Sequence, residues 1–88
     1  MDATTANDLA SKVLATVITA VQRVYSGEVD ENLDLIAAGF DSLSSMELTT
    51  ILEQELGVDC TLADIFDTTS LAELADLLVQ RINEAGNR

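Results

Sequence analysis

No histidine, no proline and no tryptophan occur in these 88 residues, and there is a single cysteine, Cys60. Each absence removes a class of chemistry. Without histidine, neither a Ser-His-Asp nor a Cys-His nucleophile can be assembled. A zinc site built on histidine or on several cysteines is excluded as well. One thiol cannot close an internal disulfide, and it fits a reducing compartment. Cys60 has no accompanying base and reads as a small, semi-buried hydrophobe. Basic residues are scarce too: four Lys and Arg stand against sixteen Asp and Glu, for a formal net charge of −12. Such a surface repels nucleic acid and anionic lipid. It suits basic partners and fast, salt-sensitive encounters. No Gly-rich phosphate loop and no basic, aromatic stripe is found. No run approaches the ~18 apolar residues of a membrane span. The N-terminus, Met1-Asp2-Ala3-Thr4-Thr5, lacks the basic run and apolar core of a secretion signal. The expected setting is the cytoplasm, with no nucleic-acid and no membrane partner.

What is present is apolar and periodic. Hydrophobic residues make up 48% of the chain, too many and too regularly placed for acidic disorder. The length allows one small domain with a thin core. Such a chain, without disulfide or metal staples, depends on compact helix packing. Leu9, Val13, Val17 and Val21 recur every fourth residue, flanked by Leu14, Ile18 and Val24. Lys12, Thr16, Thr19 and Arg23 fall on the other side, so the spacing predicts an amphipathic helix over residues 7–25. Ser26-Gly27 ends it. A long connection to Asp41 follows, with Leu33, Leu35 and Ile36 as the side chains expected to pin it to the core.

A second helix is predicted over residues 42–56, with Asp41 as its N-cap and Gly57 as its stop. A short third helix is signalled by Thr61-Leu62-Ala63-Asp64, a capping box with Asp in place of Glu. The fourth opens with the box Ser70-Leu71-Ala72-Glu73 and carries the stripe Leu71, Leu74, Ala75, Leu78 and Ile82. Residues beyond Ala85 are expected to fray. The expected fold is all-α: a four-helix bundle with three longer helices, one short third helix and a long loop between the first two. It forms a single domain over residues 1–88, with an ordered core over about residues 7–84, and is expected to be a monomer.

At about 100° per residue, Leu48, Ile51, Leu52 and Leu56 of the second helix share a core-facing sector. Leu43, Met46 and Thr50 project to the opposite side, with Glu47 and Glu53 at the edges of that outer surface. Glu55 fits poorly, since it falls near the core sector. Leu43 and Met46 therefore form a small patch, apolar at its centre and acidic at its rim, of the kind that docks a partner. Beside the patch, at the helix start, stands Ser42, a reactive hydroxyl with no catalytic base. Asp30, Asn32 and Asp34 match the first three ligand spacings of a calcium-binding loop. Leu35 then stands where glycine is needed and Asp41 where a glutamate is needed, so that reading fails.

Gly39-Phe40-Asp41-Ser42-Leu43, followed by Glu47-Leu48, resembles the phosphopantetheine attachment site of acyl and peptidyl carrier proteins. The likeness runs over residues 7–84. It takes in Leu35-Ile36, Glu53-Gln54-Glu55-Leu56-Gly57-Val58, Ile65-Phe66-Asp67 and Thr69-Ser70-Leu71-Ala72-Glu73-Leu74. The resemblance implies that Ser42 receives a phosphopantetheine arm from coenzyme A, added by a separate phosphopantetheinyl transferase that uses magnesium. Asp41 belongs to the same motif and would help the transferase place its metal. The arm's thiol would carry acyl or aminoacyl groups as thioesters, and the domain itself would have no catalytic residue and no metal of its own. The second helix is the family's usual recognition element, which assigns partner binding to Leu43, Met46 and Glu47, and more weakly to Glu53. Thr50 would make the patch narrower than in relatives with a larger apolar residue there.

Expected partners are the transferase and acyl-loading, ketosynthase or condensation-type enzymes with basic docking surfaces. Phe40-Asp41-Ser42-Leu43 and Phe66-Asp67-Thr68-Thr69-Ser70-Leu71 look most like polyketide-type acyl carriers. A free-standing carrier of a polyketide or mixed polyketide–nonribosomal peptide pathway is therefore expected. A peptidyl or fatty-acid carrier of the same fold is the alternative, and an unmodified acidic helical adaptor is the alternative of another class.

Overall fold

A computed structural model describes residues 2–86 of the chain. Four helices follow in order: α1 (Asp2–Val24), α2 (Ser42–Leu56), α3 (Leu62–Asp67) and α4 (Leu71–Gly86), with no strand among the described residues. This is the all-α bundle with a short third helix that the sequence implied. α1 begins at Asp2 rather than Asn7. An apolar stripe marks only the part of a helix that packs, and Ala3 and Ala6 favour its continuation. Of the residues expected to fray, Gly86 closes α4, and residues 87–88 lie outside the described residues.

α1 is the spine of the bundle, packing against both α4 and α2, while α3 makes smaller contacts with α2 and α4. Val13, Val17 and Val21 of α1 meet Leu48 and Leu52 of α2, Ile65 of α3, and Leu71, Leu74 and Leu78 of α4 in one buried cluster. Each such side chain contributes roughly 1.5–3 kcal/mol by leaving water. That burial offsets the modest helix propensity of the three valines. Ile51, expected in the same core sector, is only half-buried. Fully buried Ser45 and buried Thr49 share the inner face of α2 with Leu48 and Leu52 instead. Glu55 is exposed, lining a groove between α1 and α2 with Thr16, Thr19 and Arg23.

Local chemistry sets the helix ends. Gly57 stops α2 at φ 70°, its N–H bonded to the Glu53 carbonyl; a left-handed position of this kind suits glycine. Thr61 and Asp64 form a complete capping box at the start of α3. At α4 only half the expected box forms. Ser70 Oγ accepts the Glu73 N–H at 3.2 Å, but the Glu73 carboxylate turns to Thr69. Thr69 offers its N–H at 2.6 Å and its hydroxyl at 2.8 Å to one oxygen, a better pair of donors than a single amide. Arg81 of α4 clamps the α2–α3 connection, donating to the Asp59 carbonyl at 2.8 Å and to Asp64 Oδ2 at 2.6 Å.

Charge is distributed unevenly. α1 holds Asp2 and Asp8 against Lys12 and Arg23 and is formally neutral, so the net charge of −12 lies entirely beyond it.

Candidate functional site

The approach to Ser42 is built by residues 25–41. Leu35 and Phe40 are buried, and Leu33 is partly buried. The Phe40 ring lies 5.7 Å from that of Tyr25, tilted by 47°. Ile36, expected as a third pin, is 47% exposed and points away from the core. A turn explains this. Asp34 Oδ1 accepts the Ile36 and Ala37 amides at 3.0 and 3.3 Å, and the Asp34 carbonyl accepts the Ala38 N–H at 2.9 Å. This winds the chain tightly, so that Leu35 turns inward while Ile36 turns outward. Phe40 takes the anchoring place given to Ile36. Gly39 closes the turn at φ 95°, a conformation costly for any residue with a Cβ.

The chain then becomes extended at Asp41, with φ −95° and ψ −177°. Asp41 Oδ1 accepts the Ser44 N–H at 2.8 Å and caps α2 as expected. The backbone and side chain of Ser44 hold the Asp41 carboxyl below the ordinary carboxylate range. That makes Asp41 a weak base. Ser42, the first residue of α2, is exposed. Its neighbourhood thus contains an accessible hydroxyl, a carboxylate committed to helix capping and no histidine. Such a site can accept a group from an external catalyst, but it holds no group to activate the hydroxyl.

Leu43, Met46 and Glu47 line one surface groove with Thr50 and Ile51. Leu43 is 66% and Met46 53% exposed, so both are free to meet a partner. Ile51, assigned to the core from its angle alone, forms the inner wall of this groove. Glu53 is placed elsewhere: its carboxylate accepts the Cys60 N–H at 3.1 Å, tying the end of α2 to the α2–α3 connection. Two further large apolar side chains are exposed outside the expected patch, Ile36 before the site and Phe66 on α3 at 44%. Their apolar character was visible in the sequence, but the exposure of Ile36 follows from the Asp34 turn and that of Phe66 from which side of α3 meets the bundle.

Asp30 and Asp34, considered as cation ligands, spend their carboxylates on turns: Asp30 Oδ1 accepts the Asn32 N–H at 2.9 Å. Among the described residues, no group of acidic or cysteine side chains is arranged to hold a metal. No helix among the described residues is long and apolar enough to cross a membrane.

The fold is thus a small helical bundle with an exposed serine, Ser42, as the first residue of α2. The chain matches the family described as the phosphopantetheine attachment site over residues 11–78, and it belongs to that family. The family's cofactor is covalently attached phosphopantetheine, which makes this chain a carrier domain, a class that is generally non-catalytic. Among characterised proteins it is similar to the hybrid PKS-NRPS synthetase thnA of Trichoderma harzianum, 29% identical over 77 residues. That alignment covers 88% of this chain and 2% of the synthetase, so the likeness concerns one small part of a very long protein. No solved structure matches.

Proposed function

We propose that Ser42 is the attachment point of the phosphopantetheine arm, and that the domain tethers acyl or aminoacyl intermediates on it and delivers them to partner enzymes. The observation that carries this reading is the exposed Ser42 hydroxyl at the start of α2, within the family match and without a base of its own. The residues present suit the group. A helix start favours a phosphate through its amides and dipole, and an exposed first-turn serine leaves room for an enzyme to reach it. When attached, the arm supplies a terminal thiol able to hold carboxylic acids as thioesters. The protein's own part is to present Ser42, hold α2 rigid behind it and offer a surface to partners. Asp41 caps the helix through Oδ1, which leaves its other carboxylate oxygen for the transferase's metal.

Partner binding falls to Leu43, Met46 and Glu47, with Ile51 widening the patch. Glu53 contributes only charge from its anchored position. The acidity of the chain suits transferases, loading enzymes and ketosynthase or condensation-type enzymes with basic docking surfaces. The likeness to a hybrid synthetase and the polyketide-like Phe40-Asp41-Ser42-Leu43 support a polyketide or mixed polyketide–peptide pathway, in the cytoplasm. The domain is read as a single, monomeric, non-catalytic unit. Incubation with coenzyme A, magnesium and a promiscuous transferase should add the mass of one phosphopantetheine, and Ser42→Ala should abolish the gain. Failure of the unmodified chain to gain that mass with several transferases would favour an unmodified adaptor.

A further inference from the structure

The turn over residues 34–39 is the link between the bundle and the modified serine. Upstream of it, the loop is fixed to the start of α4: the Leu71 N–H donates to the Leu33 carbonyl at 3.1 Å and the Ala72 N–H to that of Glu31 at 2.9 Å. Downstream, Phe40 is buried and its N–H returns to the Leu35 carbonyl at 3.0 Å. Asp41 and Ser42 follow immediately. Between the fixed Leu33 and the buried Phe40, the exposed Ile36 and Ala37 have little burial to hold them. The loop has no proline to pre-set its backbone. Its order there comes from the buried Leu35 and from hydrogen bonds: three join backbone to backbone, and the Asp34 carboxylate is the side chain that adds to them, taking two amides on one oxygen.

We infer that Asp34 is a positioning residue for the modification of Ser42, acting through the 34–39 turn that sets where the Asp41 cap and the serine are held. The inference rests on the reading of Ser42 as the attachment point. Asp34 does not belong to the attachment motif, and its carboxylate bonds to the turn's own amides. Its effect would run through the backbone: without it, the turn opens, and Asp41 and Ser42 are presented in the productive arrangement only part of the time. A protein whose binding-competent state is partly populated shows a weaker apparent affinity by that fraction. The defect should therefore appear in KM for the carrier rather than in kcat. Because the contact needs an acceptor oxygen and not a charge, Asn should replace Asp with little loss.

The test uses the complete chain with transferase and coenzyme A, following arm addition by intact mass across carrier concentrations. Asp34→Ala should raise KM about tenfold with kcat within about twofold, and Asp34→Asn should return KM to within about threefold of the parent. Amide NMR spectra of Asp34→Ala should show shifted or doubled Ser42 and Ser44 resonances, with those of α4 from Leu74 onward unchanged. If Asp34→Ala does not fold, Gly39→Ala replaces it. Space around that Cβ is open, but φ 95° is strained for alanine, so the same rise in KM is expected. A parental KM in whichever of these variants folds, or an Asn variant as impaired as Ala, would overturn the inference. Should the unmodified chain gain no arm at all, the attachment reading itself fails. A parent that is modified normally beside an equally competent Asp34→Ala removes only the role of Asp34.

Discussion

Replacing Ser45 with alanine should make this protein more stable. The Ser45 side chain is completely buried on the inner face of α2, and its Oγ has no hydrogen-bond partner among the described residues. A buried hydroxyl without a partner costs about 1–3 kcal/mol in lost hydration. Alanine removes that cost and gains roughly 0.5 kcal/mol of helix propensity. Against this stands the space left by one oxygen, which at about 24 cal/mol per Å³ costs a few tenths of a kcal/mol. Taking the lower end of the desolvation range, the net gain is about 1 kcal/mol, which in a domain of this size raises Tm by roughly 4–8 °C. Thermal unfolding followed by circular dichroism at neutral pH measures it. Urea unfolding with an unchanged slope would show that the gain belongs to the folded state. A Tm equal to or below that of the parent would refute the reasoning, because it would mean that the hydroxyl has a partner in solution.

Arg81→Ala should destabilise the fold by about 2–3 kcal/mol in urea, since it leaves the nearly buried Asp64 carboxylate without its guanidinium. The Arg81 side chain first, aided by the Thr61 amide, holds the Asp64 carboxyl below its ordinary value of 3.8. Its contribution is therefore complete above that pH and lost as pH falls through the folded-state value, so Asp64→Asn should flatten the acid limb of the stability profile. Cys60 should resist iodoacetamide in the native chain near neutral pH and react once urea is added. Burial first, and then the Asp64 and Glu53 carboxylates, push its thiol up to about 12. Met46→Asp should keep helicity and Tm but slow transfer to a partner enzyme by about tenfold, as expected for a charge placed in an apolar contact. The parental rate should itself fall as salt rises.

The parts of the fold that were legible in the sequence are those set by neighbours in the chain. The bounds of α2 follow from Asp41 before it and Gly57 after it, and both act on amides or carbonyls within four residues. The α3 capping box was readable for the same reason. What could not be read depended on the geometry of a loop turn or on contacts across the fold. Ile36 looked like a loop anchor because it is apolar, but the Asp34 turn faces it outward and leaves the anchoring to Phe40 against Tyr25. Ser45 stands three, four and seven residues before Leu48, Thr49 and Leu52, so its place on the inner face was implicit in the spacing and masked by its polarity. Glu53 reads as a rim charge on a wheel, which contains no α2–α3 connection to draw it toward the Cys60 amide. The groove between α1 and α2 likewise explains how Glu55 stays wet at a core-facing angle. The Arg81 clamp joins residues seventeen apart and has no local signature.

The neutrality of α1 has a consequence for how the molecule moves in a field. A uniformly acidic domain would be drawn toward a basic surface with no preferred orientation. Here the negative charge sits off-centre, on the loop, α2, α3 and α4, while the spine helix carries none on balance. An approaching positive surface therefore exerts a torque as well as a pull, favouring approach through the acidic elements, α2 among them, over approach through α1. More of the diffusive encounters then begin on those acidic elements, before any side chain of the groove has been touched.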